Sequence, residues 1–225
     1  MKQLVIGMGQ IGTAIQSVLG CDGQDVEIKY TGQYDVLHIC FPYSDRFIEL
    51  VENYKLLYKA NLVIIHSTVP IGTSEKLGSV SSPCRGIHPN LKEGIETFDK
   101  FFGGEQAEEA SKLFLDKIGG RCIWTKDSKS VEAMKLWETT QYGFNIILEK
   151  EIYKYCQENN LEYDLVYTKS NETYNLGYQR LGHPEYKKYV LKHHEGKIGG
   201  HCVIPNLKLL GGFISKTIED YNNLL

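Results

Sequence analysis

Short apolar runs alternate with amphipathic stretches through the first half of the chain. Residues 2–6 read as a buried strand, followed by a glycine turn and a helix over about 10–19. Further strands are predicted at 25–30, at 35–41 (closed by Pro42), and at 62–66, 85–88, 101–102 and 121–125. Helical periodicity covers 44–58 and 105–118. Strands alternating with helices predict an α/β fold, a Rossmann-like doubly wound parallel sheet. The second half changes character. Residues 128–159 hold no strong breaker except Gly143, so one long helix is expected, with a polar start. A second helix is predicted at 164–176 and a last one at 206–225, weakened at Gly211-Gly212. Residues 177–200 are polar and rich in Gly, His and Lys, which reads as loops around a short helix. The pattern therefore divides into a dinucleotide-type sheet domain, 1–126, and a small all-α domain, 127–225.

Composition narrows the function. The 225 residues are 42% hydrophobic and 24% charged, which excludes a disordered, collagenous or coiled-coil chain. A net charge of −3 gives no basic field for a nucleic acid backbone. Apolar runs such as 62–65 are too short to span a bilayer, and the start turns glycine-rich too early for a signal peptide. The six cysteines form no C-x-x-C pair, so reduced thiols and a cytoplasmic setting are expected. His193, His194, His201 and Cys202 match no standard zinc spacing, and no metal is assigned. Nine of the fifteen tyrosines lie between Tyr142 and Tyr189, with pairs such as Tyr163/Tyr167 and Tyr174/Tyr178 at helical spacing, which reads as packing surface.

The first chemical signal is Gly7-Met8-Gly9-Gln10-Ile11-Gly12, a G-x-G-x-x-G run between a strand and a helix. The first glycine permits the tight turn, the second lets backbone approach a pyrophosphate, and the third lets helix pack on strand. The free N–H groups of the helix start then face the phosphates. The predicted second strand ends Lys29-Tyr30-Thr31, with neither a ribose-binding carboxylate nor a clear cation for a 2′-phosphate. NAD or NADP thus stays open on the residues themselves.

Four further segments carry a resemblance: Cys40-Phe41-Pro42, His66-Ser67-Thr68-Val69-Pro70-Ile71-Gly72-Thr73, His88-Pro89-Asn90-Leu91-Lys92-Glu93-Gly94, and Gly196-Lys197-Ile198-Gly199-Gly200-His201-Cys202. In order and spacing they resemble the UDP-glucose and UDP-N-acetylmannosamine (nucleotide-sugar) 6-dehydrogenases. Glu132-Ala133-Met134-Lys135-Leu136 and Asn145-Ile146 fall where the N-acetylhexosamine branch has A-E-M-x-K-L and N-I. The resemblance implies an NAD-dependent oxidoreductase that oxidises a primary alcohol of a sugar or nucleotide sugar, and a homodimer built on the long helix. It implies Cys202 as the nucleophile of a thiohemiacetal and thioester. Lys135 would stabilise oxyanion charge and assist proton transfer, and Glu93 and Thr68 would handle water. Cofactor contacts fall on Gly7, Met8, Gly9, Gln10, Ile11 and Gly12, and on Tyr30, Phe41, Pro42, Ser67 and Thr68.

The chain departs from the family pattern at several points, one being the His88-Pro89-Asn90 segment, a residue shorter than the family's. Thr139 stands where the family has an asparagine on the lysine's helix, and Asn206 where an aspartate follows the cysteine. The sequence stops soon after the cysteine segment, where the family continues into a UDP-binding domain. Two alternatives follow: a 3-hydroxyacid or 6-phosphogluconate type of dehydrogenase, which needs no cysteine, or a dinucleotide-binding partner protein without turnover.

Overall fold

The structure, a computed structural model, describes residues 1–27, 29–86, 89–200 and 202–225. It divides into two compact units, Met1–Leu136 and Trp137–Leu225, against the sequence expectation of 126.

The first unit holds a seven-stranded sheet of order β2-β1-β3-β4-β5-β6-β7. Its strands are β1 (Gln3–Ile6), β2 (Asp22–Gln24), β3 (Val36–Ile39), β4 (Leu62–Ile65), β5 (Val80–Ser81), β6 (Lys100–Gly103) and β7 (Cys122–Thr125). Helices α1 (Gln10–Leu19), α2 (Phe47–Tyr58), α3 (Thr73–Leu77), α4 (Leu91–Thr97) and α5 (Ala107–Lys112) connect them. The central strands are apolar at successive positions because both faces are covered. Leu4, Ile6, Leu37, Ile39, Val63 and Ile65 pack with Phe47, Val51, Tyr54 and Tyr58 of α2. Val5, Val36, Leu62 and Ile64 pack with Ala14, Ile15 and Val18 of α1 and with Phe114. Each large side chain so buried contributes roughly 1.5–3 kcal/mol of transfer free energy.

The structure corrects several expectations. The sheet is not wholly parallel, because β5 and β6 pair antiparallel through Ser81 and Gly103. The second strand lies at Asp22–Gln24 rather than 25–30, paired with β1 from Leu4↔Asp22 to Ile6↔Gln24. Gly20, in left-handed conformation at φ 66°, ends α1 and turns the chain straight into this polar edge strand. The fifth strand is Val80–Ser81, not 85–88, and of that expected segment Ile87 and His88 lie outside the described residues. The helix expected at 105–118 is shorter, Ala107–Lys112, and α3 and α4 are additional.

In the second unit the dominant element is α6 (Ser128–Glu158), a 31-residue helix that begins in the first unit. A π-helical stretch, Asp164–Lys169, runs directly into α7 (Ser170–Arg180), where the sequence pattern suggests one helix to 176. Pro184–Tyr186 forms one 3₁₀ turn. The expected last helix is two: α8 (Val203–Leu210) and α9 (Gly212–Leu224), broken at Gly211 with φ 67°. Ile147, Ile198, Val203, Leu207 and Ile218 form this unit's core. Among the described residues no helix is long and apolar enough to cross a membrane.

Candidate active site

The glycine loop has the geometry that its spacing predicts. Gly7 has φ 96°, and a methyl group there would meet Phe41 N at 2.6 Å. A methyl on Gly12 would strike the Gly7 carbonyl, which holds α1 against β1. A methyl on Gly9 would meet nothing within 4 Å. Gly9 caps α1 with no side-chain hydrogen bond and no acidic residue in the first turn. The backbone at Gly9 is thus open to close approach, the property that the second glycine of such a loop requires. Met8 and Ile11 pack inward on the core, whereas Gln10 is exposed.

Parallel strands bring the following loops to one edge. Ser67, just past β4, donates from its hydroxyl to the Phe41 carbonyl past β3 at 2.6 Å. Phe41 is buried, Pro42 exposed, and Thr68 half-buried beside Ser67. Tyr30 serves the fold locally: its carbonyl accepts from Tyr58 OH at 3.2 Å and its ring meets Tyr34 edge-on. Gln24 ends β2, and its side-chain oxygen accepts from the Lys29 and Tyr30 backbone N–H groups and from Tyr58 OH. Because β2 ends there, Tyr30 lies in the loop beyond the strand.

Glu132 ties this edge to α6. Its carboxylate, 2% exposed, accepts from Gly72 N at 2.6 Å and Ser74 N at 2.8 Å. Burial pushes its pKa up, and these donors oppose the shift. Lys135 lies three residues along the same helix and is half-buried. Its charge reaches Cys84 and Lys100. Burial raises the Cys84 thiol, while the Lys100 and Lys135 ammonium groups pull it back. Lys100 is itself buried and donates to the Ser82 carbonyl at 3.2 Å. That carbonyl also receives His66 Nδ1 at 2.8 Å, and His66 Nε2 lies 3.0 Å from His38 Nδ1. None of these buried polar groups stands out from sequence pattern, although Glu132 belongs to the run that matches the family. A carboxylate on the inward face of a helix start was the available signal.

Glu93 lies exposed in the first turn of α4. The following Gly94 lets α4 approach closely: a methyl there would meet Gly86 Cα at 2.6 Å.

In the second unit, Cys202 is half-buried at the N-cap of α8. Thr139, buried on α6, has its hydroxyl 3.3 Å from Asn206 Nδ2, which donates to it. The two positions that depart from the family pattern are thus bonded to each other. His193, one of the residues weighed for a metal, donates from Nδ1 to Glu149 at 2.9 Å, and His201 lies outside the described residues.

The sheet, glycine loop and long helix together define a Rossmann-like fold, and solved structures share it. The UDP-D-ManNAc dehydrogenase of Pyrococcus horikoshii superposes with a TM-score of 0.80 at 18% identity, covering 99% of this chain and 68% of that one. The 3-hydroxyisobutyrate dehydrogenase of Mycobacterium tuberculosis gives 0.69 at 14%, covering 100% and 94%. In sequence, the chain is similar to the UDP-N-acetyl-D-mannosamine dehydrogenases. It is 30% identical to that of Methanocaldococcus jannaschii over 175 residues, 72% of this chain and 37% of the relative. It is 26% identical to that of Methanococcus vannielii over 151 residues, 62% of this chain and 32% of the relative. The match thus spans about a third of those relatives' length. No protein-family model matches the chain.

Proposed function

We propose that the chain is an NAD-dependent dehydrogenase that oxidises a primary alcohol of a sugar or nucleotide sugar to the carboxylate in two steps. The open space over Gly9, at the sheet edge that Glu132 ties to the Lys135 helix, carries this reading. A bound nicotinamide would accept one hydride in each step. Lys135 takes the developing alkoxide charge and helps move the hydroxyl proton. Cys202, as thiolate, adds to the aldehyde to give a thiohemiacetal, and loss of hydride leaves a thioester. Water, oriented by Thr68 and Glu93, cleaves the thioester, releasing carboxylate and restoring the thiol. Thr139, with Asn206, faces a substrate oxygen in place of the usual amide. NAD rather than NADP follows from the family likeness, and the cytoplasmic setting from the scattered, unpaired cysteines. In the homodimer we assign, Trp137, Phe144, Leu148 and Tyr155 pack against a second copy. These exposed side chains of α6 recur at seven- and four-residue spacing.

The test is NADH formation with a panel of UDP-sugars, comparing wild type with Cys202→Ala. Two NADH per carboxylate, and loss of the second oxidation in the variant, are expected. A variant that completes both oxidations at the wild-type rate overturns the covalent route. The near-complete mutual coverage with a 3-hydroxyisobutyrate dehydrogenase supports a second reading, a single oxidation without cysteine. One NADH per product and an indifferent Cys202→Ala would select it.

A further inference from the structure

Residues 187–200 form an irregular strap that leads into Cys202. Its backbone has no ladder to satisfy it, and side chains of the surrounding helices take that place. Asn175 bonds both the N–H and the carbonyl of Lys188, at 2.8 and 2.9 Å. Tyr167 OH accepts from Leu191 N at 3.0 Å, and Asn222 accepts from Ile198 N at 2.6 Å. Between these ties, two consecutive residues of α6 grip two consecutive residues of the strap. Glu149 accepts from His193 Nδ1 at 2.9 Å, and Lys150 donates to the His194 carbonyl.

The grip is made by charges in an expensive place. Glu149 is 2% exposed and Lys150 6%. An apolar pair would cover the strap without this desolvation cost, but would not fix its register. Glu149 is further held by Tyr163 OH, which donates to the same carboxylate oxygen at 2.6 Å. Burial and that bond push the Tyr163 phenol up. His193 is stacked on Tyr153, with ring centroids 3.6 Å apart. Beyond Ile198 come two glycines. Gly199 and Gly200 touch nothing within 4 Å of where a side chain would begin, and Gly200 has φ 83°. The same strap walls a cavity of about 440 Å³ whose lining includes Glu149, Lys150, Leu191, His194, Gly199 and Val203, the last adjoining Cys202.

We propose that Glu149, oriented by Tyr163 and paired with His193, is a positioning residue that clamps the strap and so sets the approach to the Cys202 sulfur. The proposal rests on Cys202 being the nucleophile, and its test does not require turnover. The full-length chain, as wild type, Glu149→Ala, Glu149→Gln, Tyr163→Phe and His193→Phe, is probed in two ways. Limited trypsin digestion reads strap opening at Lys192 and Lys197, and mass spectrometry reads the rate of Cys202 alkylation by iodoacetamide. Glu149→Ala should speed strap cleavage about tenfold or more, as loss of a bond to a buried charge allows, and change Cys202 labelling by a similar factor. Glu149→Gln should restore most of both, since an amide oxygen still accepts from Tyr163 and His193. His193→Phe keeps the stack on Tyr153 but loses the bond, and should resemble Glu149→Ala. Where sugar oxidation is measured, kcat should fall while the KM for NAD holds, because the glycine loop belongs to the other unit. If Glu149→Ala fails to fold, Tyr163→Phe and His193→Phe decide. Wild-type cleavage and labelling rates in the folded variants would overturn the clamp. Failure of Cys202→Ala to impair oxidation would instead overturn the nucleophile, while the strap readout would still judge the clamp.

Discussion

The two units are stabilised in different ways. The sheet unit buries apolar strands between two helical layers, and its hydrogen bonds run along ladders. The helical unit has a small core around Ile147, Val203 and Ile218, and side-chain-to-backbone bonds hold its irregular strap. A ladder fixes a loop through the strands on either side, whereas a strap pinned by side chains can open one tie at a time. The glycine loop thus lies in the unit held by ladders and apolar layers, and Cys202 in the unit whose irregular segment is held by side chains.

The largest expected effect tests the sheet unit by acid. His38 and His66 are wholly buried in it as neutral rings. Burial drops His38 to about 3 and His66 well below its ordinary value, with Lys100 adding to both. Unfolded, both titrate near about 6.5. Below that pH the unfolded chain binds more protons than the folded one, so stability is complete at neutral pH and falls as pH drops toward 3. Each imidazole can contribute up to ~1.4 kcal/mol per pH unit within that window. Urea midpoints followed by tryptophan fluorescence and far-UV dichroism from pH 7 to 4 should fall steeply. His38→Leu should remove part of the slope. An unchanged midpoint across that range would show that these rings are not buried neutral.

Glu132→Ala comes next. It strips the partners from two backbone N–H groups, Gly72 and Ser74, and should cost about 2–4 kcal/mol by chemical denaturation. The same variant loosens the turn after Thr68 from the Lys135 helix, so turnover should fall more than NAD affinity does. A loss below ~0.5 kcal/mol would mean that water replaces the carboxylate and the tie is dispensable.

The two units also differ in how much of them could be read from sequence. Strands β1, β3 and β4 were legible because burial on both faces leaves nearly continuous apolar runs, with His38 the polar exception in β3. Asp22-Gly23-Gln24 was not, since an edge strand of polar residues is specified by its neighbour β1 and not by its own pattern. The alternation of Val26, Ile28 and Tyr30 pointed to a strand where the described chain has loop. Val80–Ser81 was too short to show a period. The glycine loop was legible because its requirement is local backbone geometry. Glu132 and Glu149 were not, because their roles depend on partners 58 and 44 residues away, which no spacing encodes.

The smallest effect compares the units through one chemical change made in each. Gly12 lies in the first turn of α1 and Gly143 in the interior of α6, where alanine gains up to about 1 kcal/mol of helix propensity. At Gly12 the added methyl strikes the Gly7 carbonyl, a backbone atom that cannot swing aside. Gly12→Ala should therefore lose roughly 1–3 kcal/mol net and most dinucleotide affinity, read by denaturation and NADH fluorescence titration. At Gly143 the methyl meets Val203 Cγ1 at 2.7 Å, a side-chain atom on the eight-residue helix α8. A small shift of α8 relieves that contact, so overpacking and propensity should nearly cancel, and Gly143→Ala should change stability by less than ~1 kcal/mol. Cys202 starts α8, so the shift should still register as altered iodoacetamide labelling of that thiol, with NADH binding unchanged. Equal losses at the two glycines would mean that the helical unit is packed as stiffly as the sheet.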